Sequence, residues 1–345
     1  MKQITKLSLS FAFATAILLS SCNWWKKETL TVAISPYQDI AMIINIKNLE
    51  LEKKYNTQVE LQTMNWEDII PAVASSGKTI DIGFGSLVEY LTKSNNINKD
   101  TKDPLLFIYP AYIYKGGGFI TFNNDIPIIN SSDLNNDSLV ASFLKNKIGA
   151  QKNSLYEMLL YSLAKRNNVA YKDLKIYDTP MNDGLLATQN GSLEISSAGL
   201  TQITEALKQK GRVVLTMDDM GFADVTGFIC KKSVLDKKRK EIESLIKMWF
   251  ECVDYVMKDI DNNSKFSLKY LDEKAATKYT LEQYKTALSQ EYFPITIEEA
   301  KEAIISDSGK FGYQRISKDV SDYLFTNKIV NTKPAIPQFI DLNNQ

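Results

Sequence analysis

The sequence contains no histidine. Histidine is the side chain whose ordinary pKa lies near neutrality, so its absence excludes Ser-His-Asp and Cys-His nucleophilic catalysis. It also excludes the usual histidine-containing zinc sites. Catalysis by a lysine with a carboxylate remains open, but no residue pattern indicates a catalytic group, a metal ligand or a cofactor site.

Cysteine is scarce, with three residues in the chain, Cys22, Cys230 and Cys252. Cys230 closes an apolar predicted strand, and Cys252 lies within a predicted helix. Free cysteine is among the most buried residue types, so we expect two separate buried thiols. A disulfide between them stays open for an exported protein.

Neither sign of charge dominates, since 41 basic residues balance 41 acidic ones. The basic run from Lys237 to Lys240 is followed by Glu241 and Glu243, which is typical of a solvated helix face. Without a larger basic patch, nucleic acid is not an expected partner.

Residues 1–21 have the layout of an export signal, with Lys2 and Lys6 before an apolar run from Leu7 to Leu19. That run is about 20 Å long as a helix, against the roughly 30 Å of a bilayer core, so it is too short to span well. Leu19-Ser20-Ser21-Cys22 resembles a bacterial lipobox, which implies cleavage before Cys22 and acylation of that residue, with palmitate among the possible chains. An ordinary cleaved signal with a chance cysteine is the alternative.

The rest of the chain alternates short apolar strands with amphipathic helices, which predicts two α/β lobes with mostly parallel sheets. An extended run at 105–114 followed by Gly116-Gly117-Gly118, and a second at 225–231, are predicted to be crossovers between them. We therefore expect a lipid-anchored tether at 22–28, one lobe from 29–117 plus 227–345 with a helical C-terminal region, and a second lobe from 118–226. Residues 124–146, rich in Asn and Ser, are predicted to be a partly loose insertion.

Two lobes joined by two crossovers predict a clamp that closes on a ligand. In open α/β sheets ligands bind beyond the carboxyl ends of the strands, where helix N-termini present free N–H groups. The predicted strand-to-helix turns are 35–38, 65–66, 85–86, 151–154, 179–182 and 198–201.

Several segments, in this order and spacing, resemble solute-binding lipoproteins of ABC importers of the nitrate, sulfonate and taurine class, related to thiamine-pyrimidine binders. The segments are LTVAISPYQD, SSGKTIDIGFGSLVEY, KIGAQKNSLYEMLLYSLAK, GSLEISSAGLTQITEALKQKGRVVL and TGFICKKSVL. The resemblance implies a periplasmic-binding-protein type II fold, no enzymatic activity and no cofactor. It further implies a monomer, anchored on the extracytoplasmic face of a membrane, that delivers a small organic solute or anion to a permease. The long stretch 124–147 and the glycines at 116–118 depart from the commoner pattern.

The turns and the resemblance together select a set of candidate ligand contacts: Ser35, Tyr37, Gln38, Trp66, Gly85, Ser86, Lys152, Asn153, Ser154 and Thr201. Each has a structural alternative, namely packing for the aromatic residues, a tight turn for Gly85 and helix capping for Ser154.

The charge of the solute is indicated by the absence of arginine from the candidate turns. None of the arginines (Arg166, Arg212, Arg239 and Arg315) falls in a candidate turn, whereas a highly charged oxyanion usually recruits one. This favours a weakly charged, partly apolar or planar solute, and Asp39, Asp178 or Asp183 would suit an amine. The alternatives left open are a thiamine-precursor pyrimidine or similar heterocycle, an enzyme on the same fold using Lys152, and an adaptor with a vestigial pocket.

Overall fold

The computed structural model describes residues 29–76, 79–275 and 278–342. The predicted export signal, Cys22 and the tether lie outside the described residues. No helix within the described ranges is long and apolar enough to cross a membrane.

Within the described residues, ten strands form two five-stranded sheets, in the orders β2-β1-β3-β10-β4 and β7-β6-β8-β5-β9. Their bounds are β1 Thr29–Ile34, β2 Gln58–Thr63, β3 Ile82–Ser86, β4 Leu105–Tyr114, β5 Gly118–Thr121, β6 Lys147–Gly149, β7 Lys175–Tyr177, β8 Ile195–Ala198, β9 Arg212–Thr216 and β10 Asp224–Lys231.

The two sheets share one plan, in which a single strand runs against the rest. In the first sheet β1 pairs in parallel with β2 and β3, while β10 is antiparallel to both β3 and β4. In the second sheet β6 pairs in parallel with β7 and β8, while β5 is antiparallel to both β8 and β9. The predicted mostly parallel sheets are therefore mixed, because each reversed strand is the one that enters from the other sheet.

Fifteen α-helices lie in the described ranges. Their bounds are α1 Asn45–Asn48, α2 Leu51–Lys54, α3 Trp66–Ser76, α4 Leu87–Ile97, α5 Asp137–Leu144, α6 Leu155–Arg166, α7 Met181–Gln189, α8 Leu200–Lys208, α9 Lys232–Lys237, α10 Arg239–Lys258, α11 Ile260–Asn263, α12 Lys265–Lys274, α13 Leu281–Ser289, α14 Ile297–Ala300 and α15 Tyr313–Thr326. Short 3₁₀ turns lie at Ala41–Ile44, Ser131–Asp133 and Tyr171–Asp173, and a π-helical turn at Lys301–Ile305.

Two of the helices that follow strands start at a serine cap. Ser86 Oγ accepts a hydrogen bond from the Glu89 N–H at the start of α4, and Ser154 Oγ accepts one from the Glu157 N–H at the start of α6. Such caps satisfy N–H groups that have no partner within the helix. They fix α4 and α6 so that their N-termini lie beyond the ends of β3 and β6.

The C-terminal region is helical, as predicted, and it packs on the first sheet. Trp249 of α10 is fully buried, with its ring 5.1 Å from that of Phe84 and 6.4 Å from that of Phe228, and its indole N–H donates to the Ala111 carbonyl at 3.2 Å. Burial of such aromatic residues contributes strongly to stability. This packing holds β3, β4 and β10 in place beneath the site.

The two extended runs predicted to be crossovers form β4 and β10 of the first sheet, and the passages between the sheets adjoin them, after Tyr114 and before Asp224. The glycines of the first passage allow neighbouring atoms to pack closely against the backbone; they are not needed for an unusual backbone conformation. A Cβ on Gly118 would lie 2.3 Å from the Leu215 carbonyl oxygen, and one on Gly117 would lie 2.5 Å from the Tyr156 hydroxyl. Neither has a positive φ.

The segment 124–146 is not a loose insertion. It contains α5, whose N-cap Asn136 accepts a hydrogen bond from the Leu139 N–H, and it buries Val140, Phe143 and Leu144. The apolar residues at helical spacing outweigh the Asn-rich composition, because they pack against the second sheet's core.

Both described cysteines are free and buried, on β10 and α10, which confirms the prediction of two separate thiols. Burial raises the pKa of the Cys230 thiol to about 12. A thiol that does not ionise is a poor nucleophile, so these residues serve the core.

Candidate functional site

A cavity of about 70 Å³ lies between the two sheets, at the carboxyl ends of their parallel strands. A water needs on the order of 10–15 Å³ of such volume, so the cavity has room for a handful of waters or one small solute. It is lined by Tyr37, Gln38, Asp39, Trp66, Ser86, Glu89, Tyr112, Tyr114, Gln151, Ser154, Leu155, Tyr156, Met181, Gly199, Leu200, Thr201, Gln202, Asp224 and Thr226.

Aromatic side chains form much of the wall. Tyr37 and Trp66 come from neighbouring turns of the first sheet, with ring centroids 6.3 Å apart and planes inclined at 38°. Tyr112 and Tyr114 project from the end of β4, and Tyr156 from the first turn of α6. Flat apolar walls with a few fixed polar groups are typical of small-solute pockets.

Asp39 is a buried acid in the turn after β1. Its Oδ2 accepts a hydrogen bond from the Tyr112 hydroxyl at 2.5 Å, and its Oδ1 accepts one from the Ile40 N–H at 3.1 Å. Burial raises the pKa of Asp39 to about 6, although both hydrogen bonds favour the charged form.

Asp224 is a second buried acid, at the first residue of β10. It accepts hydrogen bonds from the Ser86 hydroxyl and, at 3.3 Å, from the Val88 N–H. Burial raises the pKa of Asp224 to about 7, with a further contribution from the negative charge of Glu89. Ser86 therefore joins the α4 cap to the acid on β10.

Glu89 is the third acid at the cavity, and it has a cationic partner. Its Oε1 accepts from the Trp66 indole N–H at 3.0 Å, and its Oε2 lies 3.2 Å from the Lys93 Nζ, one turn along α4. Among the described residues no lysine or arginine lines the cavity, and no ion pair joins one to Asp39 or Asp224. The charged groups of the site are acidic.

Two hydrogen bonds connect the sheets across the cavity. The Thr201 hydroxyl, on α8, donates to Gln38 Oε1 at 3.0 Å, and the hydroxyls of Tyr114 and Tyr156 lie 3.0 Å apart. Tyr156 also donates to the Ala198 carbonyl at 3.1 Å. Gln38 is fully buried, yet its Nε2 has no hydrogen-bond partner in the part of the chain that the structure describes.

The structure brings six of the sequence-predicted contacts together at this cavity: Tyr37, Gln38, Trp66, Ser86, Ser154 and Thr201. Ser35 and Gly85 lie elsewhere. Ser35 is fully buried and its hydroxyl donates to the Met64 carbonyl at 2.9 Å, while a Cβ on Gly85 would face Ile229. These two residues shape the turns rather than the wall.

Lys152 and Asn153 also lie outside the cavity, because both are exposed. The Lys152 N–H donates to Asp178 Oδ1 at 2.9 Å, and the Asn153 N–H donates to Glu157 Oε2 at 2.6 Å. Asn153 has a φ of 57°, which turns the chain and presents Ser154 inward instead. Of the acids considered for an amine, Asp39 lines the cavity, whereas Asp178 and Asp183 are exposed beside it.

The sequence analysis missed Asp224, Glu89 and Tyr156, and it placed Tyr112 and Tyr114 only within the predicted crossover at 105–114. Asp224 was not selected because it is the first residue of its strand, whereas the candidates were taken from turns that follow strands. Since β10 runs antiparallel to β3, its first residue lies at the carboxyl edge of the parallel strands. Glu89 carried a signal, since Ser86-Leu87-Val88-Glu89 has the spacing of a capping box.

The fold is that of the periplasmic binding proteins, a two-lobed α/β clamp, as the resemblance implied. Aliphatic sulphonate-binding SsuA of Escherichia coli matches with a TM-score of 0.65 at 14% identity, over 90% of this chain and 96% of that one. SsuA of Xanthomonas axonopodis pv. citri bound to MOPS gives 0.64 at 10%, over 89% and 96%. Nitrate-binding NrtA of Synechocystis PCC 6803 gives 0.59 at 17%, over 75% and 69%. No family model and no curated protein matches the sequence.

Proposed function

We propose that this chain is an extracytoplasmic solute receptor of an ABC importer, which closes its two lobes on a small organic solute and delivers it to a permease. The observation that carries the proposal is the cavity itself, formed by strand-to-helix turns of both sheets and bridged by Thr201 and Gln38. The structural neighbours, which are solute-binding proteins, support it.

In this proposal the solute contacts are Tyr37, Gln38, Trp66, Ser86, Ser154 and Thr201, and the lobes are 29–117 plus 227–345 and 118–226.

The chain acts as a monomer, held to the membrane by lipid on Cys22 through the tether at 22–28. Two acyl chains anchor stably where one is marginal. Substituting Cys22 with serine should therefore release the protein from membranes.

An enzyme using Lys152 gains no support from the geometry, because that side chain is exposed outside the cavity. A heterocycle such as a thiamine-precursor pyrimidine remains within the proposed solute class, since the aromatic walls suit planar rings.

Thermal unfolding of the purified full chain against a panel of anionic, neutral and cationic solutes tests the receptor function. A solute at a hundredfold its Kd stabilises by about 2.7 kcal/mol, a shift of several degrees. Thr201→Val should reduce the shift because it removes the hydroxyl that bridges to Gln38. Thr204→Val, one turn along α8, should not, since its hydroxyl donates to Leu200 within the helix. A panel in which no solute moves the midpoint, or equal effects of the two variants, would contradict the proposal.

A further inference from the structure

The charged side chains that line the described cavity are all acidic, and they come from the side of the first sheet. Asp39 approaches from the turn after β1, Glu89 from α4 and Asp224 from β10. Burial and, to a lesser extent, the Glu67 carboxylate on the first turn of α3 raise the pKa of Tyr37. Lys93 is paired with Glu89, which leaves Asp39 and Asp224 as acids with no cationic partner among the described residues.

The hydrogen bonds that these two acids receive are those of carboxylates. Tyr112 donates to Asp39, and Ser86 and the Val88 N–H donate to Asp224. Hydroxyl and N–H donors fix the carboxylates in position without neutralising their charge. A buried carboxylate is costly unless a cation pairs with it.

A separate observation points to a ligand in the same place. Gln38 is fully buried and lines the cavity, and its Oε1 accepts a hydrogen bond from the Thr201 hydroxyl. Its Nε2 has no partner among residues 29–76, 79–275 and 278–342. A buried amide without a partner is destabilising, so a bound acceptor atom is its natural complement. The rings of Tyr37 and Trp66 beside it offer π-faces that attract cations.

Resting on the proposed receptor function, we propose that the solute is a small organic cation, a protonated amine or amidine that donates N–H groups to Asp39 and Asp224. The solute also carries a hydroxyl, carbonyl or ring-nitrogen acceptor for Gln38. Anions of the sulfonate and nitrate type are excluded by the same carboxylates, since like charges repel strongly in a desolvated site.

Calorimetric titration of the full chain at pH 8 with two sets of shape-matched probes tests the assignment. The small set is ethanolammonium, ethylene glycol and glycolate, and the planar set is 3-hydroxybenzamidinium, 3-hydroxybenzamide and 3-hydroxybenzoate. In at least one set the cation should bind at least about tenfold more tightly than the neutral probe, and the carboxylates should not bind.

Matched variants locate the effect. Asp39→Asn and Asp224→Asn should each weaken cation binding at least about tenfold, because each removes one charge of the pair. Asp183→Asn, an exposed acid at the start of α7, should leave it unchanged. Unfolding midpoints of the empty variants show that each is folded before it is titrated.

Each outcome decides one proposal. Three results would overturn the cation assignment and leave the receptor function intact. The first is tightest binding by a carboxylate probe or by an anion of the wider panel, and the second is a cation preference that persists in both aspartate variants. The third is binding of a neutral solute when no cation probe binds. Failure of every solute of the wider panel would overturn the receptor function as well.

Discussion

Asp224→Asn is expected to raise the free energy of unfolding of the empty protein at pH 8 by roughly 2–4 kcal/mol. Burial raises the pKa of Asp224 from 3.8 to about 7, so the folded protein keeps a proton that the unfolded chain releases between those pH values. The free energy of unfolding therefore falls as pH rises through this window, by about 1.4 kcal/mol for each pH unit. Asparagine removes that cost and keeps an acceptor oxygen for the Ser86 hydroxyl and the Val88 N–H.

Urea unfolding of both proteins from pH 5 to pH 8 measures the difference. The groups that face Asp224 are Ser86, the Val88 N–H and the Glu89 carboxylate, and none of them is cationic. The gain should therefore grow from pH 5 to about pH 7 and level off above it, where the aspartate is ionised in the folded protein as well. Asp183→Asn serves as the control, because that residue is exposed. A variant that is less stable than the parent at pH 8, or a gain that does not shrink toward pH 5, would contradict the description of Asp224 as a desolvated acid.

Glu291→Ala is expected to destabilise the protein by roughly 3 kcal/mol. Glu291 is buried, and its carboxyl accepts hydrogen bonds from the Lys115 N–H at 2.6 Å and the Gly116 N–H at 3.1 Å. Alanine would leave both crossover N–H groups without a partner, at about 1–3 kcal/mol for each buried donor. Chemical unfolding at pH 7 measures the loss.

Glu291→Gln is the matched comparison. Burial and the charge of Asp39 raise the pKa of Glu291 well above its usual value, so a neutral amide of the same shape suits the site. Its carbonyl oxygen can still accept a hydrogen bond from one of the two crossover N–H groups, so we expect roughly half the loss of Glu291→Ala, about 1.5 kcal/mol. Equal losses in the two variants would show that Glu291 does not act through these backbone contacts.

The alternation of strands and helices was sufficient to predict two α/β lobes and the turns that reach the cavity. The same reasoning could not separate residues that face the cavity from those that shape the turn. Ser35 and Tyr37 are two positions apart, yet the Ser35 hydroxyl donates a hydrogen bond to the Met64 carbonyl, whereas Tyr37 faces the cavity. Side-chain direction in an irregular turn depends on tertiary contacts, and sequence spacing does not encode them.

Long-range strand direction explains the largest omission. Asp224 reaches the site because β10 inserts antiparallel between β3 and β4, more than a hundred residues away in the chain. Its partner Ser86 was selected because it lies in a predicted strand-to-helix turn. The acidity of the site emerges only when Asp39, Glu89 and Asp224 are brought together, since each is an isolated acid in the sequence.

The bound solute can be identified by native mass spectrometry of the protein purified from its own cells, followed by release of any bound molecule. We expect one small solute per chain, bearing a protonated amine or amidine together with a hydrogen-bond acceptor. We also expect Asp224→Asn to purify without that solute. A stoichiometric sulfonate, nitrate or other anion in the cavity would contradict the cation assignment.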